Sequence, residues 1–385
     1  FGGKRRLAGR TTIRRQLLAH DDCLYALREK CGAADNCHRQ HHPGGQQGAR
    51  QDDGDESEGP GQSVHDGRQA SCGTASAGIT CTCTVPCMTL RPFRFGIQAS
   101  NATSRTEWVT LAQRSEGHGY SVLTMPDHFG DQLAPVPAMM TAADATTDLR
   151  VCALVFDNDY KHPVVLAKEL ATMDLLSDGR VEIGLGAGWM ISDYEQLGIP
   201  YDAPGVRIDR FLEGLGIIKQ CMQPGAFSQH GTHYTVTCYD GLPKPVQAKV
   251  PVLIGGGGKR VLSIAAREAD IVGINPSMHA GVVGPEAFAH MTEAAVDEKV
   301  AIVRAAAGDR LADIEMNIRA FLVNATDDGA GGRSRLAGML SVDEAMLLSS
   351  PFALIGSPAE LTERLLERRE RWGFSYVIVG AEDVD

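Results

Sequence analysis

Apolar segments of strand length alternate with segments of helical periodicity along most of this 385-residue chain. Helix-forming segments separate successive strands, as parallel pairing requires. Right-handed crossovers of this kind bring parallel strands side by side until the sheet closes on itself. The pattern therefore predicts an α/β fold, a (β/α)8 TIM barrel with insertions. The eight expected strands lie at residues 93–99, 121–126, 150–156, within 176–189, and at 250–254, 270–274, 315–323 and 376–379.

The first 87 residues differ in composition from the rest. They are rich in Gly, Gln, Asp, His and Arg, and they hold seven of the ten cysteines. A segment with so few large apolar residues is expected to be disordered. Its Cys and His residues are irregularly spaced, so we interpret them as scattered side chains rather than a metal site. A native start at Met88, preceded by translated upstream sequence, would explain the change, and it leaves one domain at residues 88–385.

Charge and cysteine content restrict what residues 88–385 bind. This part carries 26 Lys and Arg against 38 Asp and Glu, an acidic balance that argues against a nucleic-acid partner. No apolar run approaches the roughly 20 residues needed to cross a bilayer. Only three cysteines follow Met88, as is typical of a reduced, cytoplasmic protein. A small-molecule partner fits these constraints best.

Polar and small residues follow four of the predicted strands. In a closed parallel barrel the carboxyl ends of all strands meet at one face, where binding sites form. That face collects Asp127 and His128 after strand two, residues 154–158 after strand three, residues 186–189 after strand four, and residues 255–260 after strand five. They form no cluster of carboxylates with histidines, so no metal is expected there.

A run of four glycines leads directly into the helix after strand five. Exposed amides and the positive end of a helix converge in such a run, and two basic side chains follow it. The run matches neither the P-loop spacing nor the spaced glycines of a dinucleotide fold. It predicts a phosphate site, with a flexible turn as the alternative. The residues are Gly255, Gly256, Gly257, Gly258, Lys259 and Arg260.

The end of strand four is also made of small residues. Gly186, Ala187 and Gly188 leave room for a flat ring, and Trp189 either lines that space or packs in the core. His128 follows an acid at a strand end, where it can donate a hydrogen bond or a proton to a ligand; a structural histidine is the alternative. Asp193 begins a helix, and we expect it to cap that helix.

Several ordered blocks resemble a known family. They are MPDHF, NDYKHP, AKELATMDLLSDGR, VEIGLGAGW, FSQHGTHYTV, PKPVQ, PVLIGGGGKRVL and FALIGSPAELTERLLERRERWGFSYVIVG, spread over residues 93–382. The chain resembles the bacterial luciferase-like flavin and deazaflavin oxidoreductases. The LSDGR, LGAGW and GGGGKR blocks are most similar to the branch that uses coenzyme F420.

The resemblance implies a role for each site residue. Asp127 and His128 would lie beside the deazaflavin ring, with His128 as the catalytic residue. A non-prolyl cis peptide at Leu154–Val155 would back the ring. Cofactor-lining roles are implied for Gly186, Ala187, Gly188 and Trp189, and phosphate binding for residues 256–260. Members that oxidise sugar phosphates have a glutamate where this chain has Trp189, so that substrate class is not expected.

The resemblance also implies an activity. The expected function is an F420-dependent oxidoreductase that transfers a hydride between the cofactor and a small organic substrate, in a homodimer. One alternative is an FMN-dependent luciferase-like monooxygenase that receives reduced flavin from a separate reductase. A non-catalytic flavin-binding protein, which the family also contains, is the other. The sequence does not identify the substrate.

Overall fold

The computed structural model describes residues 91–278, 281–282 and 286–383. The predicted leader and the start at Met88 therefore lie outside the described residues, as does part of the interruption expected at 281–284. Eight strands form a closed parallel barrel, which confirms the predicted TIM barrel. These strands are β1 (Arg94–Gln98), β2 (Val122–Met125), β3 (Arg150–Ala153), β4 (Val181–Gly186), β5 (Val252–Gly256), β6 (Ile271–Ile274), β7 (Glu315–Arg319) and β8 (Phe374–Gly380).

Each barrel strand pairs with its neighbours in chain order. β3 pairs with β4 through Val151 and Val181, and β4 pairs with β5 through Leu185 and Ile254. The last strand closes the ring, since β8 pairs with β1 along its length. Because all pairings are parallel, every strand delivers its C-terminal residue to the same end of the barrel.

Helices connect the strands and surround the barrel. Local sequence marks both ends of the last helix, Pro358–Trp372. Ser357 and Glu360 form a capping box at its start, and Gly373, at φ 83°, ends it. The helices are α1 (Arg105–Gly117), α2 (Pro135–Asp144), α3 (Pro163–Leu176), α4 (Ile191–Leu197), α5 (Pro204–Met222), α6 (Lys259–Glu268), α7 (Glu286–Ala289), α8 (Glu293–Ala307), α9 (Gly329–Leu340), α10 (Glu344–Ser349) and α11 (Pro358–Trp372).

Two apolar layers hold the barrel together. The larger lies between strands and helices and includes Trp108, Phe211 and Trp372. The smaller includes Val122, Cys152, Leu253, Ile271, Tyr376 and Ile378, which come from five strands, and Leu154 and Val155 pack against it. Side chains from so many strands meet inside the barrel, so its middle is filled.

The N-terminal end of the barrel is closed by ion pairs. Glu182 in β4 is buried and accepts hydrogen bonds from Arg94 Nη1 at 2.6 Å and from Arg150 Nε at 2.9 Å. Arg94 Nη2 also pairs with Glu315 at 2.7 Å. The Arg94 guanidinium lies 3.8 Å from the centre of the Tyr376 ring. Charges of opposite sign are therefore matched at this end.

Some predicted boundaries were wrong. The seventh strand, expected at 315–323, ends at Arg319, and Leu322–Ala325 instead pairs in parallel with Ala353–Gly356 in a separate two-stranded sheet. The interruption at 327–350 contains α9 and α10. The hairpin expected after α5 is present, with strands Phe227–His230 and Thr235–Tyr239. Apolar periodicity does not distinguish one long strand from two short strands in different sheets.

Candidate active site

A cavity of about 1040 Å³ opens at the C-terminal end of the barrel. Every residue to which the sequence assigned a site role lines it. They are Asp127, His128, Leu154, Val155, Gly186, Ala187, Gly188, Trp189, Gly255, Gly256, Gly257, Gly258, Lys259 and Arg260. The sequence had placed them after four different strands, and the barrel brings them together.

The floor of the cavity is a cis peptide bond between Leu154 and Val155, which confirms the position that the sequence assigned to it. After this bond the short strand Phe156–Asp157 pairs with the end of β4. The Val155 side chain packs across Gly186, where an added Cβ would lie only 2.7 Å from it. Because Gly186 has no side chain, the Val155 side chain can pack over it and form part of the cavity floor.

Two glycines of the run at the end of β5 have different surroundings. An added Cβ at Gly257 would overlap the backbone of Pro276, so this glycine is needed for packing between the ends of β5 and β6. An added Cβ at Gly258 would have no described atom within 4 Å. Gly258 is also the N-cap of α6 and provides no side-chain cap, so the first amides of that helix are available to a ligand.

Basic side chains lie around this helix end. Lys259 is exposed, and among the described residues it forms no ion pair. Arg260 pairs with Asp209 and donates to the Gly205 carbonyl oxygen at 3.2 Å, which ties α6 to the start of α5. Two helix N-termini therefore meet at the cavity wall, an arrangement that favours a bound anion.

Arg207 is a lining residue that the sequence did not indicate. It is buried, and it donates to the carbonyl oxygens of Ala187 and Gly188 at 3.4 Å and of Asp202 at 2.6 Å. Its guanidinium lies 4.0 Å from the centre of the Tyr201 ring. These contacts hold the loop after β4 against α5.

His128 lies between two side chains from the segment after β4. Its Nδ1 is 2.7 Å from Asp193 Oδ2, and its ring meets Trp189 edge-on, with the ring centres 5.5 Å apart. The capping role expected for Asp193 was wrong: Met190 is the N-cap of α4 and has no side-chain cap, and the Asp193 carboxylate turns toward His128 instead. An aspartate near the start of a helix can either cap the helix or contact a side chain from another loop, and only the tertiary structure shows which contact it makes.

Carboxylates are concentrated beside His128. Asp127 Oδ2 accepts a hydrogen bond from the Asp157 backbone N–H at 3.2 Å, and burial raises the pKa of Asp127. Burial also raises the pKa of Asp157 to about 7, and the nearby Asp159 and Asp127 add to that effect. Tyr194 donates to Asp157 and Asp159, while Arg210 pairs with Asp159 at 3.0 Å. Of these acids, Asp127 and Asp157 form no ion pair in the described part of the chain, and N–H and O–H groups donate hydrogen bonds to them instead.

Neither a metal cluster nor a membrane span occurs in the part of the chain that the structure describes. No three His, Cys, Asp or Glu side chains there are arranged to hold a metal ion. None of the helices described combines the length and the apolar character that a bilayer crossing needs.

Curated relatives match parts of this chain. An uncharacterized protein of Mycobacterium tuberculosis is 29% identical over 192 residues, which span 44% of this chain and 65% of the relative. The match thus covers less than two thirds of that relative. The FMNH2-dependent dimethylsulfone monooxygenase of Pseudomonas putida is 26% identical over 258 residues, 64% of this chain and 67% of that protein.

Solved structures share the fold. The coenzyme F420-dependent tetrahydromethanopterin reductase of Methanopyrus kandleri superposes with a TM-score of 0.62 at 17% identity, over 76% of this chain and 96% of that one. The monooxygenase RslO1 of Streptomyces bottropensis gives a TM-score of 0.60 at 20% identity, over 76% and 95%. The family model described as luciferase-like monooxygenase matches residues 87–376. The chain therefore belongs to the luciferase-like monooxygenase family.

Proposed function

We propose that this chain is an oxidoreductase that transfers a hydride between coenzyme F420 and a small organic substrate. The observation that carries the proposal is the cavity itself: one space at the barrel end is bounded by a cis-peptide floor, an open helix N-terminus and a histidine held by a carboxylate. A flat cofactor with a phosphate tether would find in this one space an apolar surface for its ring, exposed amides for its phosphate and a side chain able to exchange a proton.

The residues present fit such a cofactor. Leu154 and Val155 offer an apolar floor for a ring, and the open N-terminus of α6 with Gly258 and Lys259 suits a phosphate. Gln98, at the end of β1, lines the same cavity, and its buried Oε1 has no hydrogen-bond partner in the described chain. A buried acceptor of this kind fits an N–H group at the edge of a flavin or deazaflavin ring.

The chain's own residues would orient and protect the reaction. When bound, a deazaflavin supplies a ring carbon that accepts or gives a hydride and activates oxygen poorly. The cavity walls exclude water and fix the substrate against one face of the ring. His128 faces the same space and would donate or accept a proton, or a hydrogen bond, as the hydride moves.

F420 is preferred to FMN because the LSDGR, LGAGW and GGGGKR blocks resemble the F420 branch. The fold shared with the F420-dependent reductase of Methanopyrus kandleri is compatible with this choice. A second candidate is an FMN-dependent monooxygenase, which the 26% identity to the FMNH2-dependent enzyme of Pseudomonas putida favours. Both candidates use the same cavity.

Cofactor titrations test the proposal. The chain is titrated with F420 and with FMN by fluorescence, and F420 reduction is followed by absorbance with a panel of small alcohols. Oxygen uptake is recorded with FMN and a flavin reductase. The proposal predicts tighter F420 binding and substrate-dependent F420 reduction. Substrate-coupled oxygen uptake would establish the FMN monooxygenase instead, and tight cofactor binding without turnover on any reductant or electron acceptor would favour a non-catalytic binding protein. Light scattering tests the expected homodimer.

A further inference from the structure

The two ring nitrogens of His128 have different surroundings. Nδ1 lies against Asp193 Oδ2 at 2.7 Å, on the side away from solvent, because the Asp193 side chain is only 4% exposed. Nε2 makes no hydrogen bond with any residue in the described part of the chain. Since the His128 ring lines the cavity, Nε2 is the nitrogen that a bound ligand can reach.

Asp193 is itself held in place from two other loops. Tyr160, in the loop after β3, donates its hydroxyl to Asp193 Oδ2 at 3.0 Å. The backbone N–H of Phe129, in the loop after β2, points at Asp193 Oδ1 at 3.4 Å. Burial and the nearby Asp157 and Asp193 hold the pKa of Tyr160 well above its ordinary value, so the phenol stays a donor. The carboxylate orientation is therefore fixed independently of His128.

A carboxylate accepts hydrogen bonds and cannot donate them, so it fixes which histidine nitrogen carries the proton. We propose that Asp193 is a positioning residue that keeps the proton of neutral His128 on Nδ1 and leaves the Nε2 lone pair facing the cavity. The catalytic use of this arrangement rests on the proposed function. During hydride transfer Nε2 would take the proton that the substrate releases, while Nδ1 keeps its own proton. In the reverse direction the resulting imidazolium would return the proton from Nε2. The edge contact with Trp189 fixes the tilt of the ring.

Other titratable groups surround the pair. Asp127 precedes His128, and Asp157, Tyr160 and Lys161 approach from the loop after β3. A pH profile of activity would combine all of them. The tautomer of His128 is therefore the more specific observable, since it reports one ring.

Nitrogen-15 NMR of the full chain labelled at histidine measures the tautomer without a cofactor. His128→Gln identifies the His128 signals by their loss. At pH 8 the wild-type protein is expected to show a protonated Nδ1 and an unprotonated Nε2. Asp193→Asn removes the acceptor charge, and most of the ring should then carry its proton on Nε2, the form that free histidine prefers. Asp193→Glu keeps a carboxylate and should retain Nδ1–H. The matched control is Asp309→Asn, at an exposed position in the 3-10 turn Gly308–Asp313, and it should leave the spectrum unchanged.

A wild-type spectrum with the proton on Nε2 would overturn the inference, and so would an unchanged tautomer in folded Asp193→Asn. Should Asp193→Asn not fold, the wild-type spectrum decides alone, and Tyr160→Phe, which keeps the carboxylate, should retain Nδ1–H.

A second experiment separates this inference from the proposed function. Asp193→Asn should lower F420-dependent turnover about 10-fold or more while the Kd for F420 stays within about 2-fold. Absence of F420 binding in the wild type would refute the proposed function and leave the NMR result valid.

Discussion

The two ends of the barrel differ in how their charged side chains are paired. At the N-terminal end, Arg94 and Arg150 meet Glu182 and Glu315, and each buried charge has an opposite partner. At the C-terminal end, the acids beside His128 outnumber the bases that pair with them. Asp159 pairs with Arg210, whereas Asp157 and Asp127 are satisfied by N–H and O–H donors. Both ends belong to the same eight strands.

From this difference we expect the N-terminal end to contribute mainly to stability and the C-terminal end to hold the proposed active site. Matched ion pairs close the barrel and need no ligand to satisfy them. Burial, and after it the nearby acids, raises the pKa of Asp127 and of Asp157. Tyr160 donates its hydroxyl to Asp193, and Tyr194 donates its hydroxyl to Asp157. Residues that violate the usual pairing of buried charges tend to mark functional sites. Substitutions at the two ends should therefore change different properties.

The largest effect on stability is expected at the N-terminal end. Glu182→Ala leaves Arg94 and Arg150 without their shared carboxylate inside the barrel, and should lower the free energy of unfolding by about 3–5 kcal/mol. Glu182→Gln, of the same shape, should cost less. Urea unfolding at pH 7 measures both. A loss below about 1 kcal/mol for Glu182→Ala would show that this end does not depend on its ion pairs.

At the opposite end, His128→Ala should affect turnover rather than folding. Loss of a positioned proton donor or acceptor lowers kcat by about 100-fold or more, while the Kd for F420 should change by about 2-fold at most. The matched control is His230→Ala, at an exposed position in the hairpin, with no expected effect on either constant. Equal activity of the two variants would remove His128 from the mechanism.

Asp157 tests the unmatched acids by their pH dependence. Its pKa is raised to about 7 in the folded chain, against about 3.9 when unfolded, so the folded state holds the proton more tightly. Its contribution to stability is present below about pH 4 and is lost as the pH rises to about 7. Asparagine does not titrate, so Asp157→Asn should not show this loss of stability. The free energy of unfolding of the variant minus that of wild type should therefore increase by about 2 kcal/mol from pH 4 to pH 8. Each pKa unit corresponds to about 1.4 kcal/mol, and the figure is kept below the full shift because neighbouring acids share the proton. Urea unfolding at both pH values measures it, and equal pH slopes for the two proteins would contradict it.

The smallest effect separates two adjacent glycines. Gly258→Ala adds a methyl group where no described atom lies within 4 Å, so it should cost under about 1 kcal/mol of stability but weaken F420 binding about 10-fold. Gly257→Ala, whose Cβ would meet the Pro276 backbone, should cost about 1–3 kcal/mol of stability. Thermal unfolding and fluorescence titration measure the two properties. Unchanged F420 affinity in Gly258→Ala would place the phosphate elsewhere.

Much of the fold was predictable because it depends on local patterns. Alternating apolar periods specified eight strands, and glycine at 258 before a helical pattern specified an open helix end. The resemblance of ordered blocks placed the cis peptide at Leu154–Val155. The seventh strand was wrong because residues 315–325 pair with two different sheets, and no local feature records the partner.

The sequence by itself determined which residues reach the C-terminal end of the barrel, because strand direction and the following loop suffice for that. Only the tertiary structure decided how those residues act on one another. Asp193 appeared to be a helix cap until the loops after β2 and β3 brought His128 and Tyr160 to its carboxylate. Residues 33 and 65 positions from Asp193 in the chain meet it within hydrogen-bond distance, and closure of the barrel, rather than any local propensity, brings them there.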